Sequence, residues 1–225
     1  IMFSAIFYKE WIKTRRTVGL ILLLLVALLV YALVQMEQTL RVNGAVQAWS
    51  AVLLKDMSLV PEVTKWFPLL TGLLLGVAQF IPEMTDKRLK LTLHLPLRES
   101  KIVFVTLLYG MAILSAAFLP MYVALYAGLS RHYTVEMLHA MTWQLLPYFE
   151  GGLACYLFTA WVCVEPVWRR RVANTLVADA GLYLFFMDAP SGAYMTFLPC
   201  LTLILVAGLS FPFYSAARFK DGSPG

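Results

Sequence analysis

Long runs of apolar residues alternate with short, strongly charged segments along the whole chain. A helix needs about 20 apolar residues to cross the hydrocarbon core of a membrane. Six runs approach this length, so the pattern predicts an all-α, polytopic membrane protein that forms one transmembrane domain over residues 1–225. The predicted spans cover residues 17–36, 66–82, 102–129, 138–164, 172–187 and 193–214.

Two of these spans carry an acidic residue. The fourth contains Pro147 and the run Glu150-Gly151-Gly152, which predicts a kinked helix. The fifth contains Asp179 near its middle. The fifth span is retained because its removal would move the basic residues near the C-terminal end to the other side of the membrane.

The segment before the first span has its own pattern. Within residues 1–16, Phe3, Phe7 and Trp11 recur every four residues, while basic residues such as Lys9 occupy other positions. This predicts an N-terminal interfacial amphipathic helix. The alternative is a plain cytoplasmic extension of the first span.

The basic residues divide unequally between the two sides of the predicted membrane. Of 18 Lys and Arg residues, 14 fall on one side, and the positive-inside rule makes that side cytoplasmic. Both termini are then cytoplasmic, in a cell (inner) membrane, and residues 37–65 form the sizeable external loop. The predicted cytoplasmic residues are Lys9, Lys13, Arg15, Arg16, Lys87, Arg88, Lys90, Arg98, Lys101, Arg169, Arg170, Arg171, Arg218 and Lys220. The predicted external residues are Arg41, Lys55, Lys65 and Arg131.

Composition excludes an ordinary soluble globule. Only 14% of the residues are charged and 60% are hydrophobic, whereas soluble domains carry about 25% charged residues. The net charge of +5 therefore reflects membrane topology, and no nucleic-acid partner is expected. The three cysteines lie in apolar stretches without a CxxC or Cys/His pattern, so neither a disulfide framework nor a zinc site is predicted.

The chain has no signature of an enzyme. It contains no GxxxxGK[ST], HExxH or GxSxG motif, so we expect no ATP site, no catalytic residues and no metal in this chain. His132, Glu136 and His139 have a spacing that would line one face of a helix and hold a metal. A solvated loop that runs into a helix start explains the same residues.

Two carboxylates within predicted spans, Glu150 and Asp179, are candidates for a substrate path. Ionisable groups at membrane depth are costly and are usually functional. We expect Asp179 to face the bundle interior or a water-filled cavity, with a purely structural role as the alternative for both residues. Two pairs with small-xxx-small spacing, Gly72 with Gly76 and Ala112 with Ala116, permit close helix contacts.

The most informative segment is the cytoplasmic loop at residues 83–101. Its leucines alternate from Leu89 to Leu97, which fits a strand, but Leu89, Leu93 and Leu97 also fit a short helix. A charged loop with regularly spaced leucines is a surface on which a cytoplasmic partner can dock. The alternative is a basic loop that binds lipid phosphates.

This loop resembles that of type-2 ATP-binding-cassette (ABC) exporter permeases. The likeness rests on Glu83, then Lys87-Arg88, then Leu91-Thr92-Leu93, and then Leu95-Pro96. The N-terminal stretch FYKEWIKTRR is similar to the interfacial elbow helix of the same family. One departure is that residues 188–194 leave little room for the external re-entrant helices of many members.

The resemblance implies a permease subunit that exports a hydrophobic or amphipathic substrate. It implies a second permease chain, identical or different, and a dimer of cytoplasmic ABC ATPases that carry the ATP and Mg²⁺, with membrane lipid around the chain. The loop then acts as the coupling helix. The coupling candidates are Glu83, Asp86, Lys87, Arg88, Leu91, Leu93 and Pro96. The alternatives are a heme-exporter-like permease and a non-transporting membrane scaffold or assembly factor.

The predicted topology is tested by reporter fusions at Gly192 and Gly222. With six spans and cytoplasmic termini, the two fusions report opposite sides of the membrane. If both fusions report the same side, the fifth span and the topology are wrong.

Overall fold

The computed structural model describes residues 2–55, 60–85, 99–187 and 193–221, and within these ranges it contains helices and no strand. The first four helices are α1 (Met2–Lys55), α2 (Glu62–Thr85), α3 (Glu99–Leu129) and α4 (Val135–Val164). They are followed by α5 (Trp168–Phe186), α6 (Ala193–Gly208) and α7 (Phe211–Asp221). The predicted all-α fold class is therefore confirmed for the described residues.

Four stretches of the described helices are long and apolar enough to cross a membrane. They are Ser4–Gly44, Glu62–Thr85, Ser100–Leu129 and Tyr194–Arg218. α4 and α5, which contain the predicted fourth and fifth spans, fall outside this set. α4 contacts α2, α3, α5, α6 and α7, so most of its surface meets protein and does not need the hydropathy that contact with lipid requires.

The N-terminal part of the chain differs from the prediction in two ways. α1 runs without a break through residues 16 and 17, so residues 1–16 do not form a helix separate from the first span. This matches the alternative prediction, in which these residues simply extend the helix of the first span. α1 also continues to Lys55, interrupted only at Gly44, where φ is 76°, so most of the predicted external loop is helical.

The predicted sixth span is divided into two helices. α6 ends at Gly208, a turn follows at Leu209 and Ser210, and α7 begins at Phe211. Pro212 explains the division, because its ring clashes with the carbonyl of the residue four positions earlier in a continuous helix. Pro212 is tolerated in the first turn of α7, where its missing N–H has no helical partner.

A close contact between backbones joins α2 to α4. A Cβ on Gly72 would collide with the carbonyl oxygen of Gly152, and a Cβ on Gly152 would lie 2.7 Å from the carbonyl oxygen of Pro68. One turn further along, a Cβ on Gly76 would lie 2.8 Å from the side chain of Thr159. The predicted close contact at Gly72 and Gly76 is confirmed, whereas Ala112 and Ala116 are exposed.

The contacts along this crossing fix the direction of the helices. From Gly72 to Gly76 on α2, the partner on α4 advances from Gly152 to Thr159, so α2 and α4 run parallel. Their C-terminal ends therefore lie at the same end of the bundle. Glu83 is near the end of α2, and Glu165 directly follows α4.

A fully buried polar network ties α3 to this pair. The Tyr156 hydroxyl donates to Gln79 Oε1 at 2.8 Å, and Gln79 Nε2 donates to the backbone oxygen of Thr106 at 2.9 Å. Tyr156 and Gln79 have no exposed surface. The Tyr156 ring lies directly against Gly110 of α3, a position where no larger residue fits.

The crossing predicts that Gly152→Ala destabilises the fold. The added methyl group meets backbone atoms of Pro68, which cannot rotate away, so we expect a loss of about 1–3 kcal/mol and a lower apparent Tm in detergent. Gly19→Ala is the matched control, because a Cβ there has nothing within 4 Å. It should leave the Tm unchanged or raise it, since Ala favours the helix by up to about 1 kcal/mol. Equal melting of the two variants would contradict the proposed crossing.

Candidate functional site

Four charged side chains meet where the start of α1 contacts the end of α2. We call Lys9, Glu10, Lys13 and Glu83 the α1–α2 cluster. Lys13 Nζ donates to Glu83 Oε1 at 2.9 Å and lies 2.7 Å from Glu10 Oε2. Lys9 Nζ is also 2.9 Å from Glu83 Oε1. Two cations thus face two anions, so the cluster is neutral as a whole.

Both carboxylates of the cluster are buried. Glu10 is 1% exposed and Glu83 is 3% exposed, whereas the Lys9 side chain is 41% exposed. Removing a carboxylate from water is costly, and only a close cation can offset that cost. The Glu83–Lys13 pair therefore contributes more to holding the two helices together than the partly solvated Lys9 pair.

The next turn of α1 attaches the α1–α2 cluster to α3. Thr14 Oγ1 is 2.6 Å from the Tyr109 hydroxyl, and the Phe7 ring meets the Tyr109 ring edge-on at 5.4 Å between centroids. The start of α1 thus contacts the end of α2 through charges and α3 through these rings and hydroxyls. These two helices flank the predicted coupling loop.

A second charged group, the α4–α7 cluster, consists of Glu165, Arg171, Ser215 and Arg218. Glu165 is fully buried, and its Oε2 accepts a hydrogen bond from Ser215 Oγ at 2.6 Å and one from Arg218 Nη1 at 3.5 Å. Arg171 Nη2 donates to the Glu165 backbone oxygen at 2.7 Å. This cluster joins the end of α4 to the start of α5 and to α7.

The two clusters lie at one end of the bundle, because the parallel helices α2 and α4 carry Glu83 and Glu165 at corresponding ends. At the opposite end, Trp49 Nε1 donates to the His132 backbone oxygen at 3.2 Å, a neutral contact. The helix directions thus collect the basic residues near the starts of α1 and α5 at one end. This agrees with the predicted unequal division of Lys and Arg.

Of the predicted coupling residues, the structure brings Glu83 into the α1–α2 cluster. The remaining six lie outside the described residues: Asp86, Lys87, Arg88, Leu91, Leu93 and Pro96. The segment that contains them begins three residues after Glu83.

The two predicted substrate-path carboxylates have different environments. Asp179 is exposed on α5, so it does not face the interior of the helix bundle formed by this chain. The other predicted environment, a water-filled cavity, stays a prediction. α5 packs inward through Ala178 and Phe185, two turns apart on one face, and Asp179 lies about 100° around the helix from Ala178. Glu150 is half-buried midway along α4, and its Oε2 is fully buried.

The sequence analysis did not identify Glu10 and Glu165 as buried anions. For Glu165 the sequence contains a partial signal. A residue before proline is disfavoured in a helix, so Pro166 places the charged Glu165 at the end of α4. For Glu10 the spacing to Lys13 indicates a local ion pair, but not its burial against α2. No three or more His, Cys, Asp or Glu residues in the described ranges are grouped so that they could hold a metal.

The α1–α2 cluster predicts a large effect of Glu83→Gln on stability. The change leaves Lys9 and Lys13 with Glu10 as their shared carboxylate, so a net positive charge stays in the buried cluster. We therefore expect the free energy of unfolding to fall by about 3 kcal/mol. Glu37→Gln is the matched control, since Glu37 pairs with Arg41 at 3.2 Å but both side chains are more than half exposed. It should cost less than about 1 kcal/mol. Thermal unfolding of both variants in detergent tests this prediction. Equal losses of unfolding free energy in the two variants would contradict the buried Glu83–Lys13 pair.

Comparisons with known proteins identify no relative of this chain: no family model, no curated protein and no solved structure matches it.

Proposed function

We propose that this protein is the permease subunit of an ABC transporter, in which separate cytoplasmic ATPase subunits drive the export of a hydrophobic or amphipathic substrate. The proposed topology has six membrane crossings: one each by α1, α2, α3, α4 and α5, and a last one by α6 continuing into α7. The end with the two charged clusters faces the cytoplasm of a cell whose inner membrane holds the chain. A second permease chain completes the transport path.

One observation carries this proposal. Two stretches resemble the ABC exporter family: FYKEWIKTRR and the segment that begins at Glu83. Lys13 of the first stretch is 70 residues away from Glu83 in the sequence, and yet the two form an ion pair. In such a transporter, the start of the first helix and the coupling loop are expected to move together. The α1–α2 cluster supplies a direct link between them.

The proposed mechanism uses the α1–α2 cluster as a mechanical connection. When ATP closes the ATPase dimer, the docked loop at residues 83–101 moves with it. The buried ion pairs pass this movement from the end of α2 to the start of α1, and the Thr14–Tyr109 contact passes it to α3. A rigid-body change of this kind exposes the substrate path alternately to the two sides of the membrane.

The docking proposal predicts that the double variant Leu91→Asp, Leu93→Asp loses its ATPase. Each aspartate would bury an unpaired charge in the groove of the ATPase on which the loop docks. This costs several kcal/mol of the free energy of association. The measurement is the recovery of a Walker-A ATPase with the tagged chain, together with the ATP turnover of the recovered complex. Membrane insertion of the chain should be unchanged.

Neutralising Lys87, Arg88 and Lys90 provides the matched comparison. A loop that only binds lipid loses membrane association gradually, by about 1 kcal/mol for each basic residue removed. In such a loop, the substitutions of Leu91 and Leu93 have no specific effect on ATPase recovery. Unchanged ATPase recovery and turnover in the leucine variant would overturn the coupling role. They would favour a membrane scaffold instead.

A further inference from the structure

One face of α4 is only partly covered by the other helices. His139, Trp143, Leu146, Glu150 and Leu153 recur at alternating intervals of four and three residues, so they share one side of the helix. His139 is exposed and the other four are half-buried. We call this set the α4 stripe. At 1.5 Å per residue it is about 21 Å long.

The α4 stripe is open at one end and closed at the other. His139 lies near the end of the bundle opposite to the charged clusters, and it is exposed. Beyond Leu153, every residue from Ala154 to Ala160 is buried. Glu150 is therefore the last polar group that can be reached along the stripe before the helix becomes completely enclosed by protein.

Glu150 differs from the other buried carboxylates of the described chain. Glu10, Glu83 and Glu165 each lie within 3.5 Å of a lysine or arginine nitrogen. Glu150 Oε2 is buried without a hydrogen-bond partner, and no basic residue in the described ranges forms an ion pair with this carboxylate. A carboxylate at mid-depth of a membrane bundle needs a neutralising cation or a proton, because an isolated charge there is costly.

The two residues before Glu150 carry aromatic rings that pack on other faces of α4. The Tyr148 ring stacks on Phe186 at 5.7 Å between centroids, and the Phe149 ring stacks on Phe118 at 5.3 Å. On the stripe itself, Trp143 Nε1 donates to His139 Nε2 at 3.2 Å, which satisfies the polar atom of the indole and leaves its ring for apolar contact. Aromatic faces attract organic cations that have lost their water shell.

We propose that the α4 stripe is a binding site for a lipophilic organic monocation. The positive centre pairs with Glu150, and the apolar body lies along Leu146, Leu153 and the ring of Trp143. A single unpaired carboxylate fits one positive charge, and the half-buried apolar neighbours fit a ligand that enters from the membrane. This inference rests on the proposed transport function and names its substrate class. Asp179 takes no part, because it is exposed on α5.

The test compares two probes of the same size and shape but opposite charge, tetraphenylphosphonium and tetraphenylborate. The full chain is placed in phosphatidylcholine nanodiscs, and each probe is measured by equilibrium dialysis against empty nanodiscs. We expect the chain to retain tetraphenylphosphonium above the empty-disc level, and Glu150→Gln to weaken this binding by about 10- to 100-fold. Tetraphenylborate should show no chain-specific retention.

Glu62→Gln is the matched control, since it removes the same charge from an exposed position in the first turn of α2, away from the α4 stripe. It should bind tetraphenylphosphonium as the unchanged chain does. Equal phosphonium binding by the unchanged chain and Glu150→Gln overturns the proposal, as does borate binding as strong as phosphonium binding. A third outcome also overturns the proposal: the unchanged chain binds no phosphonium and forms a dimer that Glu150→Gln disrupts. A basic residue of the second chain would then supply the cation that pairs with Glu150.

The outcomes separate this inference from the proposed function. Phosphonium binding is measured on the chain without its ATPase, whereas coupling is measured by ATPase recovery with the Leu91 and Leu93 variant. Failure of the binding test alone removes the cation site and leaves the permease. Failure of the coupling test alone leaves a cation-binding membrane protein that is not an ABC permease.

Discussion

The close crossing of α2 and α4 is the contact on which the rest of the bundle depends. Gly72 and Gly152 bring two backbones together so closely that a methyl group on either would collide with the other helix. Such a contact cannot slide along the helix axis, and it therefore fixes both the direction and the register of the two helices. With the register fixed, the Tyr156 hydroxyl meets Gln79, and α3 is held through the backbone of Thr106.

The same crossing determines where charge can be buried. It brings the C-terminal ends of α2 and α4 to one end of the bundle, each with a buried glutamate that requires cations. α1 supplies Lys9 and Lys13 for Glu83, and α7 supplies Arg218 for Glu165. The opposite end is held by contacts such as that between the Trp49 indole and the His132 carbonyl. One end of the bundle is thus joined by ion pairs between helices that are far apart in sequence, which suits the transmission of force.

Much of the helical organisation could be predicted from the sequence, because apolar runs and the placement of Lys and Arg follow directly from the cost of charge in lipid. The positions of four apolar stretches followed from these rules. The close contact at Gly72 followed from the small-xxx-small spacing of Gly72 and Gly76. The length of α1 and the division at Pro212 did not. Hydropathy places residues relative to lipid and contains no information on whether a polar segment continues as helix.

The buried charges were harder to predict for a physical reason. Burial of Glu10 depends on α2 and α3 packing against the start of α1, and burial of Glu165 depends on α7 returning to the end of α4. Such contacts form between distant parts of the chain, so local spacing does not reveal them. The exposure of Asp179 within this chain has the same origin. Hydropathy indicated depth, whereas the face of α5 is set by its packing through Ala178 and Phe185.

The central claim is that the charged end of the bundle receives force from a cytoplasmic ATPase through the loop at residues 83–101. The most direct test places a photo-crosslinking amino acid at position 93 in membranes that contain the native partners, with position 49 at the opposite end as the control. The account predicts an adduct between position 93 and a Walker-A ATPase, and no ATPase adduct at position 49. Adducts of position 93 with lipid alone would contradict the account.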